Sequence, residues 1–287
     1  MTENPVLKLG YSSPLRSVLR LAAFFGLIIL LMPANIVARI IRANNPFWVS
    51  MIFYRTLMRC MGFALRIHGT PSTHRPTLFV ANHTSYLDIP VLGALIPASF
   101  VAKAEVASWP MIGALAKLQG TIFIERRSSR VSGQRDYLRE HLLSRRSMIL
   151  FPEGTSTDGQ TVLPFKSALF SIVEEAPVGL DIMIQPVSVT CTGLSGLPMT
   201  REWRNFYSWY GDMTLVGHLW NAFGLDRVQM DVVFHPPLNP REHQNRKALA
   251  QLCRDKVATG VIECLNYRLP EETTTKLPSP TDDHHSA

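Results

Sequence analysis

The chain has 287 residues, enough for one large domain or a domain with an appendage, and 46% of them are hydrophobic. The formal net charge of +7 sits entirely in the N-terminal arm: up to Gly69 there are eight Lys/Arg and one acid, so the rest of the chain is neutral. Those bases are spread through apolar runs, which points to an anionic membrane rather than nucleic acid. The four cysteines have no CxxC and no zinc-type spacing, which excludes a disulfide framework and a zinc site.

Taken in order, the first element is an uncharged run of 18 residues between Arg20 and Arg39. That is the short end of what a membrane-crossing helix needs, and Pro33 and Asn35 weaken its last turn. A long basic lead and no small-residue cleavage site favour an anchor over a signal peptide. Pro46 to Met61 mixes aromatic, apolar and basic residues, the texture of a helix in the headgroup region, with Arg55 and Arg59 expected at the lipid surface. From Ala64 the pattern changes. Short β-rich runs fall at Ala64–His68, Thr77–Ala81, Ser99–Ala102, Gly120–Ile124, Met148–Phe151, Met183–Val189 and Val228–Phe234. Helical patterns fall at Pro90–Leu95, Pro110–Leu118, Ser132–Ser144, Lys166–Glu175 and Arg246–Ile262. This alternation predicts an α/β fold with a mixed, mostly parallel sheet flanked by helices. The stretch Thr192–Gly224 and the exit His235-Pro236-Pro237 give no clear pattern, and Leu269–Ala287 reads as a disordered tail. The expected division is an anchor over residues 1–63, an α/β domain over 64–268 and a tail over 269–287.

Chemistry concentrates at strand ends. The strand Thr77–Ala81 stops in Asn82-His83-Thr84-Ser85-Tyr86-Leu87-Asp88, ahead of the helix-opening Pro90. A carboxylate on one imidazole nitrogen fixes the tautomer and frees the other nitrogen to take a proton from a hydroxyl. The plain alternative is that Asp88 is an N-cap. Gly120–Ile124 leads to Arg126, which is either a fork for an anionic group or an ordinary surface arginine. Ile149–Phe151 leads to Pro152-Glu153-Gly154-Thr155, either a polyol-binding carboxylate or a serviceable turn. Pro186, near the start of another strand, predicts an edge or bulge position. In α/β sheets ligands sit at the carboxyl ends of strands, so these ends make a site-like set.

The same residues resemble the glycerolipid acyltransferase family, in particular the bacterial 1-acyl-glycerol-3-phosphate acyltransferases. His83 and Asp88 are similar to its H-x4-D block, Gly120–Arg126 to G-x-I-F-I-x-R, Phe151–Ser156 to F-P-E-G-T-S, and Ile184–Val187 to the weaker V-x-P block. Val101 to Glu105 resembles the stretch between the first two. The pattern departs at Phe165-Lys166-Ser167-Ala168, where the family usually has glycine in place of Ala168. The resemblance implies transfer of a fatty acyl group from acyl-CoA or acyl carrier protein to the hydroxyl of 1-acyl-glycerol-3-phosphate, giving phosphatidic acid, with no cofactor and no metal. It implies His83 as general base, Asp88 as its orienting partner, Arg126 with Lys103 on the phosphate, and Glu153, Gly154 and Thr155 along the glycerol. Other acceptors, a lyso-ornithine lipid or a lysophospholipid, fit the same motifs, and a thioester or ester hydrolase is the lower alternative. It also implies the bacterial inner membrane, with the catalytic domain facing the cytoplasm.

Overall fold

The structure, a computed structural model, describes residues 12–41, 47–109, 112–124, 140–174 and 180–269. The strands are β1 (Phe63–His68), β2 (Thr77–Ala81), β3 (Ser99–Lys103), β4 (Ile122–Ile124), β5 (Met148–Leu150), β6 (Met183–Leu194), β7 (Leu197–Pro198) and β8 (Val228–Phe234). They form one sheet in the order β1-β8-β6-β2-β5-β3-β4, with β7 folded back on β6. From β6 to β4 the pairs are parallel; β6 and β8 run antiparallel, and β8 and β1 are parallel. The expected mixed, mostly parallel sheet is what forms.

The helices are α1 (Pro14–Ile41), α2 (Phe47–Cys60), α3 (Asp88–Gly93), α4 (Ile112–Leu118), α5 (Ser171–Glu174), α6 (Leu215–Gly224) and α7 (Arg246–Leu265). The helix expected over Ser132–Ser144 falls largely outside the described residues, as does the tail beyond residue 269.

Alternation along each strand splits the apolar side chains between two layers. Phe79, Ala81 and Ile149 point into one core with α2 and α3; Leu78, Val80, Met148 and Leu150 point into the other, where Leu249, Cys253, Val257 and Val261 of α7 cover them. Two expectations need correction. Pro186 lies on β6, in the interior of the sheet rather than at an edge. The odd–even alternation of Ile184, whose N–H donates to Leu238, aims the position of Pro186's missing N–H toward the β8 side. There β8 has already given way to His235-Pro236-Pro237, so no ladder bond is lost. Arg55 is not at a lipid surface: it is only 8% exposed and donates Nε to the Ala94 carbonyl at 2.9 Å, tying α2 to the end of α3. Arg59, one turn on, is exposed.

Candidate active site

The parallel order β2-β5-β3-β4 puts four strand C-termini side by side on one edge of the sheet. His83 follows β2, Glu153 follows β5, Lys103 ends β3, and Ile124, paired with Lys103, ends β4. Arg126 lies outside the described residues.

At the end of β2 the main chain turns out of the sheet, and the side chain of Asn82 takes over the pairing. Its Nδ2 donates to Val189 O at 2.9 Å and its Oδ1 accepts from Val189 N at 2.8 Å. The turn that follows wraps around Asp88, which is 0% exposed. Asp88 is not the N-cap of α3; Leu87 holds that place without a side-chain cap. Instead the carboxylate reaches back. Oδ2 accepts from Thr84 N at 2.7 Å, Ser85 N at 3.0 Å and His83 Nδ1 at 2.9 Å. Oδ1 accepts from Thr84 Oγ1 at 3.1 Å and from Tyr207 OH at 2.6 Å. Burial and the adjacent Asp88 charge push the Tyr207 phenol well above its ordinary value, so it remains a neutral donor.

With Nδ1 held by Asp88, the ring of His83 keeps 22% of its side-chain surface accessible and stacks on Phe151, centroids 4.1 Å apart. Its main chain is held as well: His83 N donates to Glu153 Oε1 at 2.8 Å, and His83 O accepts from Thr157 N at 3.0 Å. The second Glu153 oxygen accepts from Leu163 N at 2.8 Å. Glu153 is buried, and that desolvation raises its carboxyl to about 7 against the opposing pull of the two amide bonds from Leu163 and His83. Gly154 has φ +68°, a conformation glycine takes at no steric cost, and this turn brings the backbone close to Lys166. Thr155 is exposed and Lys103 is partly buried. Ala168, the departure from the family pattern, is exposed on a short 3-10 turn.

The structure thus brings together His83, Asp88, Glu153 and Gly154, with Lys103 at the neighbouring strand end. It adds Tyr207 and Asn82, which sequence reading gave no role. Tyr207 lies 119 residues from Asp88 in the stretch without clear pattern, and nothing local signals it. Asn82 immediately precedes His83, and a polar residue at the close of an apolar strand was a readable signal. Chemically, an imidazole with one nitrogen fixed by a buried carboxylate and part of its ring accessible is able to take a proton from a hydroxyl.

A sequence model of the family described as Acyltransferase matches residues 64–190. A lyso-ornithine lipid O-acyltransferase of Rhizobium meliloti is 35% identical over 245 residues, covering 84% of each chain. A 1-acyl-sn-glycerol-3-phosphate acyltransferase of Neisseria gonorrhoeae is 30% identical over 198 residues, covering 68% of this chain and 74% of the other. Among solved structures, the 1-acyl-sn-glycerophosphate acyltransferase PlsC of Thermotoga maritima superposes with a TM-score of 0.64 at 19% identity, covering 89% of this chain and 98% of that one.

Proposed function

The chain belongs to the acyltransferase family, and from that premise we propose that it moves a fatty acyl group from a thioester donor to the hydroxyl of a lyso-ornithine lipid at the membrane surface. The observation that carries the chemistry is the 2.9 Å contact between His83 Nδ1 and the buried Asp88 carboxylate. Nε2 takes the acceptor's hydroxyl proton as its oxygen attacks the thioester carbonyl. Asp88 stabilises the imidazolium that forms, and the proton passes to the departing thiolate. Tyr207, Thr84 and the amides of Thr84 and Ser85 hold Asp88 and so position His83. Glu153 fixes the main chain of His83 while Gly154 and Thr155 line the body of the acceptor. Lys103 and Arg126 take the acceptor's anionic group, a carboxylate as readily as a phosphate.

The acceptor rests on the name of the Rhizobium relative, which matches over more of the chain and at higher identity than the Neisseria one. The second reading, 1-acyl-glycerol-3-phosphate, is favoured by the motif spelling and by the Neisseria relative. Either acceptor is a membrane lipid. Leu21, Phe24, Leu27, Ile28 and Leu31 of α1 pack on the domain core, while Leu15, Leu19, Ile29 and Leu30 stand uncovered. α1 is long and apolar enough to cross a membrane. With one face bound to the domain, it dips into the cytoplasmic leaflet of the inner membrane rather than crossing it.

The test is acyl transfer by the detergent-solubilised protein, offered acyl-CoA and acyl carrier protein donors with each of the two lysolipids, beside His83→Ala. Acylated ornithine lipid that disappears in the variant supports the proposal. Conversion of 1-acyl-glycerol-3-phosphate alone would transfer the reading to the second acceptor. Free fatty acid formed without any acylated lipid would overturn both.

A further inference from the structure

We propose that α6 is a second membrane-contact element, a short apolar shelf beside α1 that sets the catalytic turn at the depth of the lipid headgroups. Residues Leu215–Gly224 read Leu-Val-Gly-His-Leu-Trp-Asn-Ala-Phe-Gly, with no Lys, Arg, Asp or Glu. A surface helix of a water-soluble domain carries a polar outer face. Here the inner face is His218, Ala222 and Phe223, all buried, and the outer face presents Val216 at 81% exposure and Trp220 at 39%, one turn apart. Tryptophan is the residue favoured where apolar lipid meets headgroup.

What covers this face is indicated by its continuity with α1. The carbonyls at the end of α6 are capped from α1: Ser17 Oγ donates to Trp220 O at 2.9 Å, Arg16 Nη1 to Gly224 O at 3.2 Å and Arg20 Nη1 to Phe223 O at 3.1 Å. Phe24 and Phe223 pack edge to face at 5.7 Å. The same stretch of α1 leaves Leu15, Val18 and Leu19 uncovered, so exposed apolar side chains stand on both of these packed helices. A bilayer surface, rather than a protein partner, fits this combination.

The shelf is wired to the chemistry. On the inner side of α6, His218 Nδ1 meets Tyr86 OH at 2.9 Å, and Tyr86 lies between His83 and Asp88 in the catalytic turn. An α6 seated in the leaflet therefore fixes how far the turn stands from the lipid, and a lysolipid can present its hydroxyl to His83 without leaving the membrane.

The experiment uses the full chain with Cys60→Ser, so that the exposed native thiol does not label, and Val216→Cys carrying an environment-sensitive fluorophore. With vesicles of phosphatidylethanolamine and phosphatidylglycerol the emission is expected to shift to the blue and to be quenched by brominated acyl chains. A parallel variant, Val216→Glu with Trp220→Glu, is expected to lose about tenfold in vesicle binding and in turnover of vesicle-embedded acceptor. Its turnover of the same acceptor in detergent micelles should stay at the parental level, which also shows that it folds. A label that stays in water on vesicle-bound protein, or a double variant that binds vesicles like the parent, would overturn the proposal. Neither readout of binding depends on which lysolipid is the acceptor.

Discussion

Asp88 and Asp231 are both buried, and each holds a histidine ring nitrogen at 2.9 Å. Around Asp231, on β8, Arg66 closes a fork: Nε to Oδ1 at 2.9 Å and Nη2 to Oδ2 at 2.7 Å, with Thr192 adding its hydroxyl to Oδ2. The negative charge there is balanced before His68 is counted. Around Asp88 the hydrogen bonds come from two amides, a threonine and a tyrosine, all neutral, and of its partners only His83 can become a cation. A carboxylate solvated by neutral dipoles keeps its full charge for an imidazolium. One already paired with a guanidinium has little left to give. The same two residue types, at the same distance, therefore differ in how much charge the carboxylate has left for its histidine.

Breaking each pair should separate the roles. Asp88→Asn is expected to lower kcat/KM by about 10³–10⁴ with the fold intact by circular dichroism, because the amide neither charges nor orients the ring correctly; a loss below tenfold would erase the asymmetry. Asp231→Asn is expected to leave turnover within about twofold of the parent. It should cost about 2 kcal/mol of stability by weakening the charged fork to the part-exposed Arg66, a drop of roughly 4–8 °C in Tm by calorimetry.

Glu153 extends the contrast to a carboxyl held by two backbone amides. Its folded value near 7 lies above the ordinary 4.5, so the folded protein binds the proton more tightly than the unfolded chain. The associated stability is fully present below about 4.5 and is lost as pH rises through 7, about 3 kcal/mol in all. Glu153→Gln should flatten that slope in urea unfolding followed from pH 4.5 to 8, and an unchanged slope would locate the titration elsewhere. The smallest effect is expected at Tyr207→Phe, about tenfold in kcat. Losing this donor loosens Asp88 beneath the ring, so kcat should fall with KM unchanged. A purely packing role would lower Tm and leave kcat in place.

Much of this was legible from the residues because it is local. His83 and Asp88 stand five apart on one turn, and the strands that deliver His83, Lys103 and Glu153 each carry an unbroken apolar run, so the site edge of the sheet follows from element order. What escaped depends on contacts distant in sequence. Tyr207 approaches Asp88 from a stretch whose aromatic residues follow neither period. Arg55 looks like a lipid-facing base in a mixed segment, yet its side chain finds the free carbonyl at the end of α3. Glu153 looked aimed at a ligand, whereas both its oxygens accept main-chain amides. Asp231 gave no sign of its fork, since Arg66 is 165 residues away.

The Asn82 clamp has a consequence for isotope exchange. Val189 sits in the middle of an interior strand, yet its amide proton is held by a side chain, Asn82 Oδ1, instead of a carbonyl from the adjoining strand. Ser188 and Thr190 beside it pair with the main chain of β8, so deuterium uptake at Val189 follows the seating of the His83 turn rather than the opening of the sheet. A probe on the strand next to β2, silent in any activity assay, would register the turn loosening before turnover does.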